Sequence, residues 1–100
     1  MTTTIQEFED RIVATLSGEL DTAAAPETEH ALQPLLNVAG KTIVIDCTSL
    51  EYISSSGLRI LLGILKKAQA NGSRVVLKNV NEVIKDVLDL TGFISFFEFE

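Results

Sequence analysis

The stretch Thr42-Ile43-Val44-Ile45-Asp46-Cys47-Thr48-Ser49-Leu50-Glu51-Tyr52-Ile53-Ser54-Ser55-Ser56-Gly57-Leu58-Arg59 decides the reading of the chain. It opens with consecutive β-branched residues, Ile43 to Ile45, the composition of a strand buried on both faces. A polar segment follows, expected as a loop. From Ser55 to residue 70 the apolar residues Leu58, Leu61, Leu62, Leu65 and Ala68 recur at helical spacing, and Asn71-Gly72 closes the pattern. A buried strand feeding an amphipathic helix is the unit from which α/β folds are built.

Working outward, the same alternation continues. Residues 74–78 read as a strand through Val75, Val76 and Leu77, and residues 81–90 as a short helix. Asn79 with Glu82 matches a capping box, Gly92 closes that helix, and residues 96–99 supply a last strand. Towards the amino terminus, residues 3–8 form a strand that Glu9-Asp10 turns into a second, residues 11–17, with Ile12, Ala14 and Leu16 on one face. Asp21 and Thr22 open a helix with Pro26 near its first turn. Its stripe runs Thr28, Ala31, Leu32, Leu35, Leu36 and Ala39 up to Gly40. There is no repeat, low-complexity tract or linker, and residues 1–100 are read as a single domain.

Composition narrows the partners. Forty-six percent apolar residues and a mean hydropathy of +0.28 describe a packed globule. No apolar run approaches the ~20 residues that span a bilayer, so no membrane insertion is expected. Residues 1–10 lack the basic and apolar regions of a secretory signal. The lone Cys47 forms no internal disulfide, which fits a cytoplasmic location. Fourteen acidic against eight basic side chains leave a net charge of −6, which argues against a nucleic-acid partner. It argues equally against an anionic membrane surface. Another protein is the expected partner.

Catalytic and cofactor chemistry finds little purchase. A serine nucleophile needs a base, and the only histidine, His30, falls inside the first helix; no Gly-x-Ser-x-Gly elbow is present. One cysteine and one histidine at unrelated positions offer no metal-ligand set. Gly40-Lys41-Thr42 imitates the end of a phosphate loop, but position 35 is Leu and the strand follows the triplet. The chain is expected to be no enzyme and to need no cofactor or metal.

Functional residues of α/β sheets gather where parallel strands end and helices begin. Two junctions qualify: Gly18-Glu19-Leu20-Asp21, and the segment closing in Ile53-Ser54-Ser55-Ser56-Gly57-Leu58-Arg59. If both strands run parallel, Asp21 and the serines are neighbours at one sheet edge. The serine triplet supports two compatible readings. Ser54 or Ser55 can cap the helix, and one of the serines can accept a phosphate, which unpaired amides and the helix dipole would favour. Ile60 and Ile64 lie off the centre of the helix stripe. They either pack against the neighbouring helix or form an exposed apolar contact for a partner.

Leu16-Ser17-Gly18-Glu19-Leu20-Asp21, the block from Val44 to Arg59, and Leu90-Thr91-Gly92-Phe93 together carry a resemblance. The chain resembles the STAS domain, specifically the free-standing bacterial anti-sigma factor antagonists, over essentially its whole length. The resemblance implies a mixed, mostly parallel sheet of four to five strands with helices packed mainly on one face. It also implies partner switching. The unmodified antagonist binds an anti-sigma factor that is a serine kinase, is phosphorylated and released, and is reset by a PP2C-type phosphatase. The family pattern is Asp-Ser-Ser/Thr-Gly-Leu. Laid on this chain, Ser54 takes the acidic position and the phosphoacceptor falls on Ser55, with Ser54 and Ser56 as alternatives. The partner surface implied comprises Asp21, Ser54, Ser55, Ser56, Gly57 and Leu58, with Ile60 and Ile64 beyond them. A STAS subunit of an ABC transporter, or of another signalling complex, is the alternative for the same fold.

Overall fold

A computed structural model describes all residues, 1–100. Its sheet has five strands in the order β1 (Thr2–Glu7), β2 (Arg11–Leu20), β3 (Thr42–Ile53), β4 (Arg74–Lys78) and β5 (Glu98–Phe99). β1 and β2 form an antiparallel hairpin closed by the Phe8 amide donating to the Arg11 carbonyl at 2.7 Å. The remaining pairs are parallel, each joined by a helical crossover: α1 (Ala25–Ala31), α2 (Ser55–Ala70) and α3 (Glu82–Leu90).

One face of the sheet carries the core. Ile12, Ala14 and Leu16 of β2, Ile43, Ile45 and Cys47 of β3, and Val75 and Leu77 of β4 join a single apolar cluster with the buried sides of the helices. On the opposite face Val13, Thr15 and Asp46 are half-buried, and Val44 and Val76, though buried, stand outside that cluster. The expected α/β sheet with helices on one face is therefore the fold found.

Several elements differ from expectation. The first helix stops at Ala31 and is succeeded by a 3-10 turn, Gln33–Asn37, instead of continuing to Gly40. Pro34 explains the break, because it lacks an amide hydrogen and disfavours helical geometry at the preceding residue. The altered phase turns Val38 inward and leaves Ala39 exposed. β3 runs on to Ile53, well past Ile45. Register shifts between Thr15 and Ser17 and between Gly18 and Glu19 let it bend while pairing with β2 to the end. Its second half thus buries Leu50 and Ile53 at a spacing of three, which hides the strand period of two. Asn81, not Asn79, caps α3: its Oδ1 accepts the Ile84 amide at 2.9 Å, and its Nδ2 donates to the Leu50 carbonyl at 3.0 Å. Asn79 takes a left-handed conformation (φ 57°) and donates from Nδ2 to Thr48 Oγ1 at 2.9 Å. At the carboxyl end, residues 94–96 form a 3-10 turn, leaving only Glu98–Phe99 as strand.

Candidate functional site

The two junctions meet because β2 and β3 end together. Leu20 pairs with Ile53, and the Ser54 amide donates to the Leu20 carbonyl at 2.8 Å. Asp21 and Ser54 are therefore the first residues past two adjacent parallel strands, at the same sheet edge.

The serines divide the work that the sequence leaves open among them. Ser54 is extended (φ −86°, ψ 172°), and its Oγ accepts the Gly57 amide at 3.1 Å. It is buried, and its hydroxyl is committed to capping α2. Ser55 is the first residue of the helix and is exposed; Ser56 is half-buried. The amides of Ser55 and Ser56 have no side-chain acceptor, and the first turn carries no acidic residue. The positive end of a sixteen-residue helix thus stands directly behind the Ser55 hydroxyl.

Gly57 and Leu58 are scaffold rather than surface. A Cβ on Gly57 would lie 2.6 Å from Leu20 Cγ and 2.9 Å from Ile53 Cγ1. Only glycine lets the first turn of α2 sit this close to the ends of β2 and β3. Leu58 is buried in the core. Ile60 and Ile64 are buried too, at 8% and 3% exposure. Of the two readings their positions allow, packing against the neighbouring helix takes most of their surface. They pack towards the first helical segment, alongside Leu32 and Leu36.

Asp21 is half-buried, and its Oδ1 accepts the Ala24 amide at 2.8 Å while its carbonyl accepts the Ala25 amide at 3.1 Å. It caps the turn that leads into α1, so the carboxylate has a local structural task as well as its place at the edge. Next to it, Thr22, Ala25, Pro26 and Glu29 face Ser56, Arg59 and Ile60 across a shallow hollow of about 300 Å³. Sequence reading passed over Arg59. Its signal was its spacing, one helical turn beyond Ser55.

The remaining polar groups have structural occupations. Asp46 Oδ1 accepts from the Thr48 hydroxyl at 2.6 Å and from its amide at 3.0 Å. Those bonds, with the Lys78 charge adding to them, hold its carboxyl below the usual range against the opposing effect of partial burial. Burial, and secondarily the Asp46 charge, push the Cys47 thiol up to about 12, so it stays protonated and unreactive at neutral pH. His30 is exposed in the last turn of α1. No three His, Cys, Asp or Glu side chains converge as a metal site would require. No helix is long and apolar enough to cross a membrane.

The fold is a mixed five-stranded sheet, and the helix after its central strand opens on a capping serine followed by an exposed one. The STAS domain model matches residues 2–100, and the chain belongs to that family, among its anti-sigma factor antagonists. Relatives include BtrV of Bordetella bronchiseptica, 29% identical over 97 residues, covering 97% of this chain and 84% of that one. The anti-sigma-B factor antagonist of Staphylococcus epidermidis is 30% identical over 77 residues, covering 77% and 71%. Among solved structures, an anti-sigma factor antagonist from Mycobacterium paratuberculosis superposes with a TM-score of 0.81 at 28% identity, covering 98% and 83%. Unphosphorylated SpoIIAA reaches 0.80 at 21% identity, covering 99% and 88%, a likeness of fold.

Proposed function

We propose that this protein is an anti-sigma factor antagonist switched by phosphorylation of Ser55. In this reading it binds, in the cytoplasm, an anti-sigma factor that is also a serine kinase, and so frees a sigma factor. The kinase transfers the terminal phosphoryl group of ATP to Ser55 Oγ with ADP as the leaving group, the hydroxyl proton passes to solvent, and the complex separates. A PP2C-type phosphatase hydrolyses the ester and restores the binding form.

The observation that carries this reading is the division between Ser54 and Ser55. Ser54 secures the helix end, so Ser55 is free to change chemistry without loss of a cap. A phosphate there adds about −1.5 to −2 charge beside free amides and the helix dipole, an addition that the fold accommodates. For the partner the same charge sits in a contact that must be desolvated, and binding weakens. Asp21, Ser55 and Ser56 form the accessible part of the proposed contact, and Ser54, Gly57 and Leu58 hold it in shape.

The test is a binding titration of the cognate kinase with parent, Ser55→Ala and Ser55→Asp proteins. Ser55→Ala is expected to bind and to resist release by ATP, and Ser55→Asp to fold normally and bind poorly. A Ser55→Asp protein that binds as tightly as the parent contradicts the reading.

A further inference from the structure

The charge of this chain is unevenly placed. All fourteen acidic residues lie outside α2, while α2 carries Arg59, Lys66 and Lys67 and no carboxylate. The ion pairs of the molecule are Lys41–Glu7 at 3.0 Å and Arg74–Glu98 at 2.7 Å, so the cations of α2 are unpaired in a protein of net charge −6.

Two of them border a hollow. Between α2 and the first helical segment runs a furrow of about 250 Å³, with Leu32, Leu36, Ile60 and Ile64 along it and Arg59, Lys67, Gln33 and Glu29 at its sides. Gly63 lies at its middle. A glycine inside a helix is destabilising relative to alanine, and this one is not required by the chain. A Cβ at Gly63 meets nothing within 4 Å, and its φ is not left-handed. Gly57, six residues earlier, is the opposite case. The space over Gly63 is left open to the outside.

The furrow is smaller than the ~300–1,000 Å³ of small-molecule sites, which suits one anchoring side chain of a larger partner. It also continues towards the serines, because Arg59, Glu29 and Ile60 line both it and the hollow beside Ser56.

We propose that this furrow docks an acidic segment of the anti-sigma partner, an aliphatic anchor seating over Gly63 while carboxylates meet Arg59 and Lys67. The inference rests on the antagonist reading above and deepens it. Arg59 lies four residues after Ser55, within reach of a phosphate on the same helix face. Phosphorylation then draws the guanidinium away from the partner's carboxylate, and the switch acts on the groove as well as at the serine.

The experiment is calorimetric titration of the full chain with the kinase that phosphorylates Ser55, using parent, Gly63→Leu, Arg59→Glu and Ser55→Asp proteins, at low and high salt. Gly63→Leu and Arg59→Glu are each expected to weaken binding about tenfold or more with thermal melts no lower than the parent's. Arg59→Glu should also flatten the salt dependence. If both bind within about twofold of the parent while Ser55→Asp does not, the groove is not the docking site and the serine switch stands. If Gly63→Leu and Arg59→Glu lose binding while Ser55→Asp keeps it, the groove stands and the switch fails. Should Gly63→Leu fold poorly, Arg59→Glu alone decides: unchanged affinity and salt slope overturn the proposal.

Discussion

Ser54 Oγ accepts the amide proton of Gly57 at 3.1 Å, so the residue before the exposed serine, not the serine itself, holds the helix end together. The same residue ties β2 to β3 through its own amide on the Leu20 carbonyl. A side chain that caps cannot also be offered to a kinase without weakening the helix, and the neighbouring hydroxyl of Ser55 carries no such duty.

This separation predicts unequal stability effects of two apparently similar substitutions. Ser54→Ala should cost about 1 kcal/mol, the usual loss of an N-cap. Ser55→Ala, at an exposed position, should stay within about 0.5 kcal/mol of the parent. Urea unfolding of the two variants checks the difference; equal losses would mean that the cap is assigned to the wrong serine.

The two glycines of α2 should respond in opposite directions. Gly57→Ala forces a Cβ to within 2.6 Å of Leu20 and should destabilise by about 1–3 kcal/mol. Gly63→Ala enters open space and should stabilise by roughly 0.8–1.0 kcal/mol. Thermal or urea melts distinguish them directly.

How much of this was legible in the sequence differs element by element. The range of α2 is plain from its apolar spacing, and β4 from three consecutive apolar residues between polar ones. The second half of β3 was hidden because its bulges bury Leu50 and Ile53 out of strand phase. Pro34 carried the signal for the break after α1, since a proline nine residues beyond the first helical residue, Ala25, ends a helix that Pro26 can begin. Within the site, composition cannot rank three identical side chains in a row. Backbone geometry does, because Ser54 alone is extended while Ser55 is already helical. Ile60 and Ile64 were ambiguous for a related reason: a wide apolar stripe does not say which side another helix will cover.

Asp21 should respond differently to amide and methyl replacements. Asp21→Asn keeps an oxygen for the Ala24 amide and should retain stability, whereas Asp21→Ala should lose about 1 kcal/mol, as for other side-chain caps. Both should weaken binding of the kinase if the charge contributes to the contact. Comparing urea melts with titrations separates the two roles. Full binding by Asp21→Asn would remove its charge from the partner surface.

Two groups give opposite pH limbs. The Asp46 carboxyl is held below its ordinary 3.8, so its stabilising contribution is complete above that value and is lost as pH falls through the lowered one. Thr48→Val should flatten the acid limb. The Cys47 thiol is raised from 9.0 to about 12, so above pH 9 the unfolded chain gives up a proton that the folded chain keeps, and stability falls as pH rises. Cys47→Ala should remove that alkaline decline, although the lost packing lowers stability throughout. Unfolding free energies from pH 2 to 10.5 read both limbs. An alkaline slope unchanged in Cys47→Ala would assign it to other groups.

The most direct test of the central claim is site mapping. The protein is incubated with its cognate anti-sigma factor kinase and ATP, digested, and the modified residue located by tandem mass spectrometry. The account predicts one phosphate, on Ser55, and its absence from Ser55→Ala protein. Phosphate on the capping Ser54, or only outside residues 54–56, would contradict it.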